Sequence, residues 1–428
     1  MPRYTYKQQL KIFGALTVLI MAEEEENAER ARNMKARKIW SRNWLKRRTE
    51  GSQYKNLVQE LALEDENGYR NWMRLDRRQF HEVLELIRPA ISRQDTNMRA
   101  AVSAEERLAI TLRHLATGES QQSLSYQFRV SQPLISMIIP SVCTAIYEAL
   151  QPDYMRVPTT QDEWRHVAAE FHRQWNYPNC LGACDGKRIL VAKPANSGSS
   201  FYDYKGHCSV ILMALVDAEY KFLYVDVGTN GRVSDGGVWD KCTLKAALEN
   251  NDLKVPPPEK LPFSHRITPF VIVADDAFPL KQWIMKPYPG KDLPMNKLIH
   301  NYRLSRARRV SENAFGILVS RFQIFRQPIR TTPERVEKIA LATTVLHNYL
   351  RGSSQQTYTP PELLDREDID NRRMVAGQWH NHEGNALGNV HAQGRRPTQA
   401  AMNVRDTFSE YFNNEGKVPW QEDMVYMH

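Results

Sequence analysis

Five short runs rich in Val, Ile, Leu and Phe, at 180–185, 187–193, 208–217, 222–227 and 270–274, constrain this chain more than any other feature. They are too short for core helices and too apolar to stand in water, so they read as strands. Helical patterns bracket them, from Trp72 to Leu150 before and at 301–325 and 333–350 after. Strands followed by flanking helices predict an α/β layer domain over residues 160–350.

The front section predicts helices. Leu75-Asp76 opens one carrying Phe80, Val83, Leu84 and Ile87, and Ser103-Ala-Glu-Glu106 is a capping-box signature before Leu108, Ala109, Leu112 and Leu115. After the break at Gly118, a short helix at 120–128, a turn at Arg129-Val130 and a helix from Ser131 through Leu134, Ile135 and Ile138 follow the helix-turn-helix layout. That second helix offers Gln132, Ser136 and Met137 rather than cations, and Pro140 would kink it, so a structural hairpin fits the same spacing. The implied organisation is a basic segment at 1–60, a helical domain with the hairpin at 70–155, and the layer domain at 160–350. A polar flexible linker at 352–397 and a C-terminal helix and tail at 398–428 complete it, with Phe408, Tyr411 and Phe412 available to dock back.

Composition narrows the partner. The 428 residues are 42% apolar, enough for a sizeable core, and the net charge of +9 favours a polyanion, nucleic acid before an anionic membrane. Arg30, Arg32, Lys35, Arg37, Lys38, Arg42, Lys46, Arg47 and Arg48 surround Trp40 and Trp44. The stretch reads as a DNA-contacting or nuclear-import segment, or as an amphipathic helix whose tryptophans pack inward. The cysteines, Cys143, Cys180, Cys184, Cys208 and Cys242, are odd in number and lack framework spacing, which favours a reducing compartment. Cys180 and Cys184 suit a buried strand better than a zinc site. No run reaches the roughly 18 to 20 apolar residues of a membrane span. The apolar stretch 12–22 resembles a signal peptide, but four glutamates follow it, and Met21 reads as an alternative start.

Four acids stand where α/β sites are built. Asp185 ends Leu181-Gly-Ala-Cys-Asp185, with Gly186 turning the backbone away; Asp235 lies in a glycine-rich loop; Asp275 ends Phe270-Val-Ile-Val-Ala-Asp275; Glu312 lies on a helix among arginines. Phosphodiester hydrolysis needs an activated water and a stabilised leaving alkoxide. Two divalent ions held by hard, shared carboxylates supply both, and such ligands select Mg²⁺ or Mn²⁺. Each acid alone also fits a turn or a helix salt bridge, as do Asp217, Asp226, Asp240 and Asp276.

The stretches Gly182-Ala-Cys-Asp185-Gly186, Gly228 through Asp235, Ala274-Asp275-Asp-Ala-Phe-Pro-Leu280, Trp283-Ile-Met-Lys-Pro-Tyr288, Asn301-Tyr-Arg-Leu-Ser-Arg-Ala-Arg-Arg309, Glu312-Asn-Ala-Phe-Gly316 and Leu346-His-Asn-Tyr349 resemble the PIF/Harbinger transposase family over most of residues 70–350. The resemblance implies an α/β fold with an RNase H-like catalytic core behind an N-terminal helical domain. It also implies a divalent cation held by Asp185, Asp235, Asp275 and Glu312, with Asp185, Asp275 and Glu312 catalytic, and DNA strand cleavage in the nucleus, with the cytoplasm as a second location. Lys187 and Arg188 depart from the Thr-His common in relatives, though their charge suits phosphate.

Arg303, Arg306, Arg308 and Arg309, with Lys187 and Arg188, are then expected on the DNA backbone. A separate Myb/SANT-type targeting protein and a homo-oligomer are compatible partners. The alternative reading is a domesticated, catalytically silent DNA- or protein-binding module.

Overall fold

The computed structural model describes residues 21–25, 42–97, 100–193, 201, 206–230, 237, 239, 242–381, 387–389 and 397–425. Residues 1–49 and 50–428 form two compact units. Of the first, the described parts are helical at 21–25 and Asn43–Lys46, and Trp40 lies outside the described residues. The second unit holds the sheet and the helices packed on it.

Its front is helical: α1 (Leu57–Glu64), α2 (Glu66–Met73), α3 (Arg77–Ile91), α4 (Ala104–Thr117), α5 (Gln121–Phe128) and α6 (Gln132–Tyr154). Polar caps set their starts. Asp76 and Gln79 form a reciprocal capping box on α3, and Ser103 Oγ accepts the Glu106 N–H on α4. Gly118 closes α4 at φ +70°, and a Cβ there would also sit 3.3 Å from the backbone of Gln323 and Ile324.

The turn at Arg129 is left-handed, but α6 is a core element rather than a free recognition helix. Pro140 lies inside it without ending it, and Ile135, Ile138, Ile139, Val142, Cys143, Ile146 and Leu150 are buried. By length and composition α6 could cross a membrane, yet its buried face, Ile135 through Leu150, belongs to the core.

After α7 (Gln161–Trp175) come β1 (Cys180–Leu190), β2 (Ser209–Val216) and β3 (Phe222–Asn230), an antiparallel meander. Next are α8 (Thr243–Glu249), the hairpin β4 (Glu259–Lys260) and β5 (Ile267–Thr268), then β6 (Val271–Ala274) and β7 (Ile284–Met285). The sheet order is β3-β2-β1-β6-β7, with β6 parallel to both β1 and β7. The mixed sheet, six-stranded with β10 (Leu387–Asn389) beside β1, is flanked by helices, an arrangement consistent with an RNase H-like core.

Every residue of β2 is buried, because both faces are covered. One face carries Ala183, Ile189, Leu212 and Ala214 into a core shared with α9 (Met295–Arg321) and α10 (Pro333–Ser353). The other carries Cys184, Ile211 and Met213 against Trp164 of α7, Leu244 of α8 and Phe278.

Two expected boundaries differ. The helical section and the layer domain share one apolar core, in which Phe80, Leu108 and Ile146 join Val210 and Leu346, so no boundary falls between 155 and 160. The physical reason is α6, whose buried face packs on α10. The segment expected as a flexible linker at 352–397 is, where described, structured. It forms the hairpin β8 (Arg366–Asp368) and β9 (Arg373–Val375), and β10 (Leu387–Asn389), which pairs antiparallel with β1 at Lys187, Arg188 and Ile189. Its anchors are few but buried, Leu363 and Leu387 among them. Beyond it, α11 (Gln399–Asn413) and α12 (Gln421–Val425) close the chain, with Phe408, Tyr411 and Phe412 buried and Tyr177 stacked on Phe408 at 5.4 Å.

Candidate active site

Strand alternation places Asp185 and Lys187 on the face that also presents Ala183 and Ile189, toward α9. On β6, Val273 pairs with Ala183 and shares that face, so Asp275, two residues on, emerges beside Asp185. Two carboxylates therefore leave adjacent parallel strands on one side of the sheet. Burial and the charge of Asp185 push the Asp275 pKa up to about 6, against the pull of Arg308 and the Ala277 N–H.

Asp185 is buried. Its Oδ1 accepts the Gly186 N–H at 2.9 Å. Its Oδ2 lies 3.0 Å from Lys187 Nζ as an ion pair, but no aligned hydrogen bond reaches that buried oxygen. Asp275 Oδ1 accepts the Ala277 N–H at 3.0 Å, which orients the carboxylate. The neighbouring Asp276 is exposed.

Helix α9 brings the third acid. Arg308 Nη1 sits 2.7 Å from Glu312 Oε1, one turn on. Burial works against the Arg308 charge, but Glu312, Asp185 and Asp275 together hold its pKa above the ordinary arginine range. One guanidinium is thus in the field of all three acids. Asp235 lies outside the described residues. Among the described residues, no three His, Cys, Asp or Glu side chains are already gathered as a metal site.

Four of the cations expected on DNA are placed elsewhere. Arg303 is 1% exposed and donates to Gly416 O, Gln421 Oε1 and Asn176 O. Arg306 and Arg309 pair with Glu367 at 3.4 and 3.0 Å, and Tyr302 Oη donates to the same carboxylate at 3.1 Å. Arg188 is buried on the opposite face of β1 from Asp185. The long α9 is enclosed by sheet, β8 and the C-terminal helices, so its arginines neutralise internal groups. Arg308 and Lys187 stay at the acids, each already paired with one.

Sequence reasoning missed Glu367, because nothing in its polar surroundings marks a buried counter-charge. It also missed Trp379, whose ring fills the space over Gly316; a Cβ there would lie 2.5 Å from it. Trp379 and His380 stack at 3.5 Å, and with Lys187, Glu312, Phe315 and Leu387 they line a cavity of about 380 Å³ beside the acids. The block Leu346-His-Asn-Tyr349 is a latch. Asn348 bonds both Phe222 N and O, and His347 Nε2 meets Tyr220 O at 2.7 Å, tying α10 to β3. Asp217 is a turn residue accepting the Glu219 and Lys221 N–H groups, Asp226 faces away from Asp185, and Asp240 lies outside the described residues.

Residues 184–348 match the DDE superfamily endonuclease family. The match runs from within β1 to within α10 and takes in Asp185, Asp275 and Glu312. The chain is 26% identical to Protein ALP1-like of Arabidopsis thaliana, over 72% of this chain and 77% of that one. It is 25% identical to the Arabidopsis thaliana protein antagonist of like heterochromatin protein 1, over 73% and 77%. HARBI1 of Xenopus laevis, whose name proposes a nuclease, is 22% identical over 62% and 73%. No solved structure matches the chain.

Proposed function

We propose that this protein is a divalent-metal-dependent DNA endonuclease of Harbinger transposase descent, hydrolysing phosphodiester bonds by a two-metal reaction in the nucleus. The observation that carries the reading is the pair Asp185 and Asp275, placed side by side at the ends of parallel strands. Burial raises the proton affinity of Asp275, and Asp185 keeps a buried oxygen without an aligned donor. Hard, crowded carboxylate oxygens of this kind fit Mg²⁺ or Mn²⁺. Asp185 and Asp275 would hold the cation with Glu312 and Asp235, and when bound it would activate water and offset charge on the leaving oxygen. The chain's own contribution is orientation and charge. The Ala277 N–H fixes Asp275, the Gly186 N–H fixes Asp185, and Arg308 holds positive charge over all three acids.

A second reading, a catalytically silent DNA- or protein-binding module, is favoured by one observation. Lys187 and Arg308 already occupy Asp185 and Glu312 as ion pairs. The relative named as an antagonist of like heterochromatin protein 1 points toward a protein partner in the same sense. Supercoiled plasmid incubated with Mn²⁺ separates the readings. The nuclease reading expects nicking that Asp185→Asn and Asp275→Asn abolish while both variants keep their fold. No nicking by the parent protein, or equal nicking by the variants, sinks it.

A further inference from the structure

Arg303, Arg306 and Arg309 of α9 are turned inward onto internal partners, and a second place presents arginines to an open groove. Between the α5–α6 hairpin and the segment joining α9 to α10 lies a groove of about 900 Å³, lined in part by Arg326, Arg330, Arg335, Gln121, Gln132 and Gln327. Among the described residues, the groove's acid Glu119 forms an ion pair with Arg113 alone, at 3.0 Å, and its other oxygen takes Ser123 and Gln127. Arg335 Nη1 donates to Ser136 Oγ at 2.7 Å, which holds the guanidinium across the groove toward α6. Arg326 Nε is buried with no hydrogen-bond partner, and burial alone lowers the Arg326 pKa, with no carboxylate opposing it. Three guanidinium groups converge where the described residues provide no free counter-charge, so the anion comes from outside.

We propose that this groove seats the phosphate backbone of duplex DNA, with Arg326, Arg330 and Arg335 as the phosphate contacts. The choice of DNA rests on the nuclease reading; the anion requirement does not. Planar, bidentate guanidinium donors suit phosphate oxygens, and the glutamine amides suit sugar and backbone oxygens. The N-terminus of α5, capped by Ser120, opens on the same groove and adds partial positive charge. The groove also connects to the acids through the sheet. Val191, just past β1, bridges to Ile329 in the groove wall, six residues from Asp185. That spacing is about 20 Å along a strand, which about six base pairs of duplex would cover.

The test is fluorescence anisotropy of a labelled 20-base-pair duplex with the full chain in EDTA, across a NaCl series. EDTA separates binding from cutting, so failure of the nuclease reading leaves this measurement intact. The expected result is that Arg326→Ala/Arg330→Ala/Arg335→Ala weakens binding at least tenfold and reduces the log–log salt slope by about 3, near 0.9 per lost phosphate contact. The corresponding triple lysine variant should keep most of the slope, and the exposed Arg330→Glu alone should weaken binding with the melting temperature unchanged. An unchanged slope in the alanine triple overturns the proposal. So does a triple that keeps DNA affinity but loses binding to a polyglutamate peptide, which would make the groove a site for an acidic protein.

Discussion

Two groups of arginines occupy this molecule, and their surroundings differ. Arg303, Arg306 and Arg309 on α9 are enclosed, Arg303 donating to carbonyls and Arg306 and Arg309 pairing with Glu367, whereas Arg326, Arg330 and Arg335 line an open groove without carboxylate partners among the described residues. Sequence makes the first group the more conspicuous, because it is dense and lies beside a proposed catalytic acid. Structure reverses the assignment. Density of charge on a long helix says little about exposure when three layers pack around it, and a paired cation has little attraction left for phosphate.

The largest effect is expected at Glu367, which sits between Arg306 and Arg309 with its side chain 4% exposed. Glu367→Ala leaves two buried guanidinium groups uncompensated and is expected to cost about 3–5 kcal/mol, read from urea unfolding. If the loss is under about 1 kcal/mol, those arginines are not internal neutralisers and belong with the groove.

Asp275 gives the next effect, with a defined pH window. Its pKa is raised to about 6 from 3.8, so the folded state holds a proton that the unfolded chain releases between those values. Stability contributed by the protonated form is full below about 3.8, declines as pH rises, and is gone above about 6. Asp275→Asn should therefore stabilise the metal-free protein by on the order of 2–3 kcal/mol at about pH 7.5 and by almost nothing at about pH 4. The buried His347, lowered to about 3, runs the other way: its contribution is present above 6.5 and falls as pH drops toward 3. Melting curves across pH check both. An Asp275→Asn variant that gains no more stability at high pH than at low pH would remove the case for a strained acid pair.

The sheet and its acids are legible because strand burial and strand ends leave a one-dimensional record. The apolar run Phe270-Val-Ile-Val-Ala ends where Asp275 must emerge, and register alone puts it beside Asp185. The strap formed by residues 359–381 and β10 leaves no such record. Its inward contacts are single residues, the buried Leu363, Glu367 and Leu387 side chains and the half-buried Trp379, scattered through polar sequence, and they make sense only against the rest of the fold. The expected domain boundary fails for a related reason: α6 has the apolar residues of a core helix, but its partner α10 lies far along the chain. Gly316→Ala tests the strap directly. Its Cβ would meet the Trp379 ring, with an expected cost of about 1–3 kcal/mol and faster proteolysis within 359–389.

The smallest effect is expected at Arg330, which is exposed and makes no ion pair among the described residues, so Arg330→Ala removes charge without leaving a buried partner. Its change in stability should stay within about 0.5 kcal/mol, as for surface positions free of special contacts. Self-repulsion in a chain of net charge +9 even favours a slight gain at low salt. A clear loss in urea unfolding would mean that the groove, like α9, uses its arginines to hold the fold. A null result leaves their charge available to an external anion, and the two groups of arginines then differ in role as well as in burial.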